Sequence, residues 1–304
     1  MLKNLPDYDS PAAINAFLRE RGLAAQKKFG QNFLVQRRAR EKLARALAPP
    51  QGSHVWEIGA GLGAMTAILL DMGARVKAFE IDRGFCGILT ELFSDSKNFS
   101  LVEGDVLETW KGERARGGVE FLAGNLPYNI AAHLIGNFIE SGLFFKRMVV
   151  TVQREVALRM AAKPCSPDYS SFSVMCSSVY SVKPVISLKG GCFYPIPNVD
   201  SQGLCLELKD APLREGYSPL FYRMVRALFA SRRKTLKNNL LSFIRKEVSG
   251  GNAKAPELCA ELLRTAGIYP TERAENLACE DFLRLSTALT RHLALSNEEA
   301  ACEA

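Results

Sequence analysis

From residue 53 onward the chain alternates short apolar runs with stretches of helical period. Val55–Ile58, Val76–Ile81, Phe99–Val102, Val119–Ala123 and Met148–Val152 read as buried strands, and Ala64–Met72 and Asn129–Glu140 between them as helices. Strand and helix in alternation predict βαβ units around a parallel sheet, an α/β fold. Val182–Leu188 and Leu204–Leu208 predict a final pair of strands, with Pro195, Pro197 and Gly203 in the connection. Ahead of this region, Val35, Ala39, Leu43 and Leu47 recur every fourth residue and predict a helix that stops at Pro49-Pro50-Gln51-Gly52. Residues 1–28 read as a polar arm with a short helix near Ile14–Arg21. Asp210–Pro219 reads as a linker, and the chain beyond it as helical. There Phe221, Val225, Leu228 and Phe229 fall on one helix face. The last dozen residues read as a solvated tail. The pattern divides the chain at 1–52, 53–209, 210–290 and 291–304.

Composition narrows the class. At 304 residues, 47% hydrophobic and 23% charged, the chain has the make-up of a globular protein and not of a disordered one. No apolar window is long enough for a membrane span. The first residues carry Asp7, Asp9 and Glu20 and no apolar stretch of the secretory kind. Eight cysteines stand with no C-x-x-C pair, and the only histidines are His54, His133 and His292. No zinc-type ligand set is spaced along the chain, so no metal is expected, and the cysteines read as reduced, in a cytoplasmic protein. The net charge of +7 favours a polyanionic partner, nucleic acid above all. The excess concentrates in two stretches. One runs from Arg19 to Arg45. The other, with Arg232, Arg233 and Lys234 at its centre, runs from Gly216 to Lys246 without a single carboxylate. A solvated helix face is the alternative for each, and a base-modifying site nearby favours phosphate contact.

Three segments carry candidate chemistry. The strand Val55–Ile58 runs into Gly59-Ala60-Gly61-Leu62-Gly63 and then a helix. Glycines let a ligand approach the backbone, and the helix start offers free N–H groups. Glu80, at the end of the next strand, is placed to accept both hydrogens of a ribose diol. The loop by itself leaves a dinucleotide and S-adenosylmethionine both open. Asp105, after the third strand, can accept from an adenine amine or cap a helix.

Gly124-Asn125-Leu126-Pro127-Tyr128 closes the fourth strand, where ligand sites of open α/β sheets lie. The exocyclic nitrogen of adenine is a weak nucleophile because its lone pair is delocalised into the ring. The Asn125 side-chain oxygen and a backbone carbonyl, that of Leu126, can grip its two hydrogens and draw it toward tetrahedral geometry. Pro127 stiffens the turn, and Tyr128 offers a face for a stacked base. A nicotinamide enzyme has no use for such a turn, so amine methylation is the better reading. His133 reads as an ordinary helix residue. The sulfonium is an activated donor, and the chemistry needs no dedicated base.

These segments occur in a recognisable order. Phe29-Gly-Gln-Asn-Phe-Leu34, Glu57-Ile-Gly-Ala-Gly-Leu-Gly63, Glu80-Ile-Asp82, Gly104-Asp105 and Gly124-Asn-Leu-Pro-Tyr-Asn129 come first. Gln153-Arg-Glu-Val156, Phe193-Tyr-Pro-Ile-Pro-Asn-Val-Asp-Ser201, Arg232-Arg-Lys-Thr-Leu-Lys-Asn-Asn239 and Arg273-Ala-Glu-Asn-Leu277 follow. The whole resembles the KsgA (RsmA) group of small-subunit (16S) rRNA adenine N6,N6-dimethyltransferases.

The resemblance implies a Rossmann-like class I SAM-dependent methyltransferase domain over 53–209. It implies a small all-helical RNA-binding domain over 210–290, and a basic arm and helix over 1–52. It implies dimethylation of two adjacent adenosines in a 3′-terminal rRNA helix within an assembling small ribosomal subunit. Nothing in the sequence requires more than a monomer. Asn32 and Leu34 would cover the cofactor, with Gly59 at its methionine part, Gly61 beside it in the same cofactor-binding turn, Glu80 at its ribose and Asp105 at its adenine. Asn125 would sit where cofactor and target meet. Phe193 would be a second stacking surface, its alternative being a core aromatic.

The chain departs from the group at Ala60, at Ala131-Ala132-His133 and across Asp168–Val174, where a Gly-Arg pair is missing. Two other readings stay open. One is a macrolide-resistance type methyltransferase of large-subunit rRNA. The other is an assembly factor whose binding matters more than its catalysis.

Overall fold

The computed structural model describes residues 5–26, 30–115, 117–210, 218–248 and 254–302, the last seven as backbone only. Phe29, Lys27 and Lys28, and most of the expected linker (211–217), lie outside the described residues. The chain forms two compact units. One takes in the chain up to Ala157 together with Ser181–Leu208; the other takes in Leu158–Tyr180 and the chain from Lys209 on.

In the first unit the strands are β1 (Phe33–Leu34), β2 (His54–Ile58), β3 (Arg75–Glu80), β4 (Phe99–Glu103), β5 (Phe121–Asn125), β6 (Arg147–Gln153), β7 (Tyr180–Leu188), β8 (Phe193–Tyr194) and β9 (Ser201–Leu208). Helices α1 (Pro11–Glu20), α2 (Arg37–Leu47), α3 (Ala64–Asp71), α4 (Arg83–Phe93), α5 (Val106–Ala115) and α6 (Ala131–Glu140) lie between them. The strands and helices expected from the apolar pattern are all present, with ends displaced by up to three residues. The seven-stranded sheet has the order β4-β3-β2-β5-β6-β9-β7. Strands β4 to β6 in that order run parallel, and β9 is antiparallel to β6. The order reverses between β2 and β5, which leaves a crevice beyond their carboxyl ends.

Alternation along the strands decides what packs on each face. Val55, Val76, Phe121, Ala123 and Val149 share one core with Ala39, Leu43 and Leu47 of α2. This is the face the four-residue period of α2 predicts. Trp56, one residue on from Val55, meets the rings of Phe79, Phe138 and Phe145. Gly124 in β5 has a physical reason: a Cβ there would stand 2.9 Å from the Ile58 carbonyl oxygen.

In the second unit α7 (Arg154–Ala161) leads in, followed by α8 (Ser171–Val179), α9 (Pro219–Leu228), α10 (Leu236–Glu247), α11 (Ala255–Ala266) and α12 (Cys279–Cys302). Phe221, Val225 and Leu228 are fully buried, as their spacing predicts. The Phe229 ring stacks on Phe282 with centroids 5.7 Å apart. Residues 291–302, expected as a tail, continue α12. No helix among the described residues is long and apolar enough to cross a membrane.

Candidate active site

The carboxyl ends of β2, β3 and β5 open onto a cavity of 380 Å³. That volume suits a nucleoside-sized ligand. The glycine turn forms its floor. Gly59, Gly61 and Gly63 have φ of 70°, 57° and 84°, a region costly for other residues. Gly63 has a second reason to be glycine: a Cβ there would lie 2.3 Å from the Phe93 ring. At Gly59 a Cβ would lie 3.6 Å from the Asn125 carbonyl oxygen and 3.9 Å from the Pro127 ring. Any larger residue would therefore project between the glycine turn and the Asn-Leu-Pro-Tyr turn.

Two acidic side chains stand at these strand ends, Glu80 as the last residue of β3 and Glu57 as the last but one of β2. Glu80 is 6% exposed. Its Oε2 accepts the Gly61 N–H at 2.8 Å, and its Oε1 accepts the Ile81 and Asp82 N–H groups, both at 3.0 Å. Burial raises its pKa against the pull of these three donors. Glu57, on β2, is wholly enclosed, and burial pushes its pKa up to about 8. Its Oε2 accepts the Thr66 hydroxyl at 2.6 Å. Asp105 takes the capping role its position allows and also faces the cavity. Its Oδ1 accepts the Leu107 N–H at 2.8 Å, capping α5, while the residue lines the cavity.

Asn125 closes β5. Its Nδ2 donates to the Asn32 carbonyl at 2.7 Å, and its Oδ1 is buried without a hydrogen-bond partner. A buried amide oxygen left without a donor costs about 1–3 kcal/mol. Such a cost persists where a ligand supplies the donor. Leu126, 1% exposed, donates its N–H to the Thr151 carbonyl at 3.0 Å, which ties the turn to β6. The Pro127 carbonyl accepts from Ile130 and Ala131 at the start of α6. Tyr128 stands outside the cavity, half-buried, its hydroxyl 2.7 Å from that of Ser201.

The segment before α2 covers the cavity. Asn32, Leu34, Gly30 and Gln31 line it. Gln26 and Gln31 each donate a side-chain N–H to Asp82 Oδ2 at 2.9 Å, while Asp82 Oδ1 caps α4 through Gly84. The buried Arg40 donates to the Leu34 carbonyl at 2.6 Å and pairs with Asp9. Tyr8 donates its hydroxyl to the Leu62 carbonyl at 2.8 Å. Tyr8, Gln26, Gln31 and Asp82 have no assigned role in the sequence reading, and Arg40 enters it only as one charge of the Arg19–Arg45 stretch, whereas the fold buries it. Asp82, directly before a helix, was findable as a cap. The Tyr8 and Arg40 contacts span 54 and 31 residues and have no local signal.

The structure thus brings Asn32, Leu34, Gly59, Gly61, Glu80, Asp105, Asn125 and Pro127 around one cavity. Leu126 and Tyr128 belong to the same turn but do not line it. Phe193 lies elsewhere: it is 2% exposed, opposite Leu34 in the β1–β8 pair, and packed in the α2-side core. His133 is exposed on α6 and does not line the cavity. Arg232, Arg233 and Lys234 belong to the second unit. Arg232 Nη2 donates to the Pro167 and Tyr169 carbonyls at 3.0 and 3.1 Å, and its Nε to Glu275 at 3.2 Å. Its guanidinium is engaged in joining segments of that unit. Arg233 and Lys234 are exposed. No cluster of metal-ligating side chains is present among the described residues.

Strand order, glycine turn and the acidic ends of β2 and β3 define a class I methyltransferase fold. Two solved structures share it. A dimethyladenosine transferase from Plasmodium falciparum superposes with a TM-score of 0.72 at 24% identity, covering 82% of this chain and 94% of that one. The 23S rRNA methyltransferase ErmE superposes with a TM-score of 0.60 at 22% identity, covering 85% and 100%. In sequence, residues 22–290 match the family model described as ribosomal RNA adenine dimethylase. Proteins named ribosomal RNA small subunit methyltransferase A are similar over nearly their whole length. That of Treponema pallidum is 46% identical over 284 residues, 93% of this chain and 98% of that protein. That of Borreliella afzelii is 38% identical over 286 residues, 94% and 96%. The chain belongs to the ribosomal RNA adenine dimethylase family.

Proposed function

We propose that the protein transfers methyl groups from S-adenosylmethionine to N6 of two adjacent adenosines in a 3′-terminal helix of small-subunit rRNA. Each adenosine receives two methyls, one at a time, in an assembling small ribosomal subunit in the cytoplasm. The observation that carries the reading is Asn125: its amide nitrogen is fixed by Asn32, and its buried oxygen has no donor. An adenine amine supplies that donor.

The cavity fits the cofactor by the chemistry of its walls. Glu80 would hold the ribose hydroxyls, Asp105 the adenine amine, and the Gly59–Gly61 backbone the methionine part, with Asn32 and Leu34 above it. Bound there, the cofactor supplies an electrophilic methyl on a sulfonium. Everything else is done by the chain. Asn125 Oδ1 and the Leu126 carbonyl accept the two N6 hydrogens and turn the nitrogen lone pair toward the cavity. The target base must leave its stack to arrive there. Tyr128, outside the cofactor cavity, supplies the face it lies on, worth about 1–3 kcal/mol. The proton leaves to water after transfer, and no histidine or carboxylate need take it. Exposed Arg233 and Lys234 supply phosphate contacts. Phe193 has no exposed ring face here, so the stacking surface rests on Tyr128.

The test is methyl transfer from labelled cofactor to unmethylated small subunits, naked small-subunit rRNA, large-subunit rRNA and duplex DNA. Nucleoside analysis of the products follows. N6,N6-dimethyladenosine in the small-subunit samples is the expected result. Label confined to large-subunit rRNA would replace the substrate, and cofactor binding without transfer to any of them would leave only an assembly role.

A further inference from the structure

Tyr128 is the last residue of a turn that is otherwise fixed by its backbone. Leu126 is tied to Thr151 of β6, and Pro127 to the first turn of α6. Neither bond reaches the Tyr128 ring. A polar contact at its far end does: the phenol oxygen lies 2.7 Å from Ser201 Oγ, with either hydroxyl able to donate. Ser201 is the first residue of β9, 1% exposed, and sits opposite Gln153 at the end of β6. The Arg154 N–H donates to the neighbouring Asp200 carbonyl at 3.0 Å, which holds this corner of β9 in place. Ser201 therefore stands on a rigid strand, while Tyr128 stands on a turn.

We propose that Ser201 is a positioning residue that locks the Tyr128 ring in the orientation on which the target base stacks. The inference rests on the function proposed above. It assigns a task to a residue 73 positions away from Tyr128 in the chain. The lock has a chemical logic. A stacking face is sequence-tolerant and weakly directional, so by itself it does not fix how far the base nitrogen lies from Asn125. A hydrogen bond at the far end of the ring removes the rotation that would let the base ride out of line. Small misplacement at the reacting atoms is costly in rate. Burial raises the Tyr128 pKa, so the phenol stays neutral and keeps its proton for this bond. Ser201 is not expected to touch cofactor or base.

The test is a double-mutant cycle with Ser201→Ala and Tyr128→Phe on unmethylated small subunits. Each single change is expected to lower kcat about tenfold, with KM for the cofactor within about twofold of wild type. The double variant is expected to be no slower than either single one, because both remove the same bond. A parallel readout uses an RNA hairpin with 2-aminopurine in place of the target adenine. Quenching by Tyr128 is expected to weaken in both single variants while RNA affinity changes little.

Independent effects that multiply to about a hundredfold would overturn the inference. So would a Ser201→Ala enzyme with wild-type kcat and quenching. Tyr128→Phe removes only the hydroxyl and keeps the ring, so wild-type turnover in that variant overturns it even where Ser201→Ala fails to fold. The wild-type enzyme in the same assay separates the two levels. Absence of dimethyladenosine there strikes the function, whereas its presence with silent variants strikes only Ser201.

Discussion

Asn125 and Glu57 show how much of the site depends on single polar atoms. In Asn125 one half of the amide is used internally and the other half is left for a ligand. In the proposed mechanism, replacing it with alanine removes an acceptor from the transition state. The expected loss in kcat is about a hundredfold or more. Cofactor affinity, which the proposal assigns mainly to Glu80, Asp105 and the glycine turn, should fall only a few-fold. Equilibrium dialysis beside single-turnover kinetics checks both halves, and near-normal turnover would remove Asn125 from the chemistry.

Glu57 makes a prediction in pH. Its folded pKa of about 8 lies above the ordinary carboxylate value, so between about 4.5 and 8 the unfolded chain loses a proton that the folded one keeps. Stability must fall as pH rises through that window. Glu57→Gln keeps an acceptor for Thr66 and has no proton to lose. It should therefore gain on wild type by more than ~1 kcal/mol between pH 5 and pH 8. Denaturant titrations of the cofactor-free protein at the two pH values measure this; equal differences at both would show that Glu57 is ionised in the fold.

At the scale of elements, the segment before α2 is held over the cavity by side chains, since β1 has only two residues and a two-residue partner. The Asp82 carboxylate is the fastening, with one oxygen on α4 and the other shared by Gln26 and Gln31. Gln31→Ala removes one strand of that fastening and leaves the α4 cap alone. Limited proteolysis should then cut around residues 20–31 about tenfold faster, and the KM for cofactor should rise several-fold with kcat nearly kept. Unchanged cleavage would mean that Tyr8 and Arg40 hold the segment without it.

Much at this scale was legible beforehand. The four-residue period of α2 and the apolar runs of β2 to β6 follow from burial on known faces. The segment 154–179 carries no clear sequence signal, because α7 is only eight residues long and α8 is buried nearly all round.

At the scale of the molecule, the basic excess divides into residues that hold the fold and residues free to meet phosphate. Arg232 belongs to the first kind, through the Pro167 and Tyr169 carbonyls and Glu275. Arg233 and Lys234 belong to the second. Arg233→Glu with Lys234→Glu should weaken binding to small-subunit RNA and flatten its salt dependence by about two counterions, with the melting temperature unmoved. Arg232→Ala should instead lower the melting temperature, since it leaves backbone carbonyls without their donor. If the two sets exchanged phenotypes, the division would be wrong. Arg40 teaches the same lesson in the N-terminal stretch: it is counted as charge in the sequence and is 5% exposed in the fold.

By itself the sequence determined the α/β alternation, the glycine turn, the acidic strand ends, the Asn-Leu-Pro-Tyr turn and the family they make together. These are local features, set by period, by backbone freedom and by short motifs whose chemistry depends on residue type. Tertiary structure alone decided which polar atoms are used up and which are left over. It engaged Arg232 and Arg40, buried Phe193, set Ser201 against Tyr128, and grouped Leu158–Tyr180 with the C-terminal helices. The reason is distance along the chain. Hydrogen bonds such as Tyr169 to the Leu277 carbonyl, 108 residues apart, follow from how elements pack, and no local pattern encodes them.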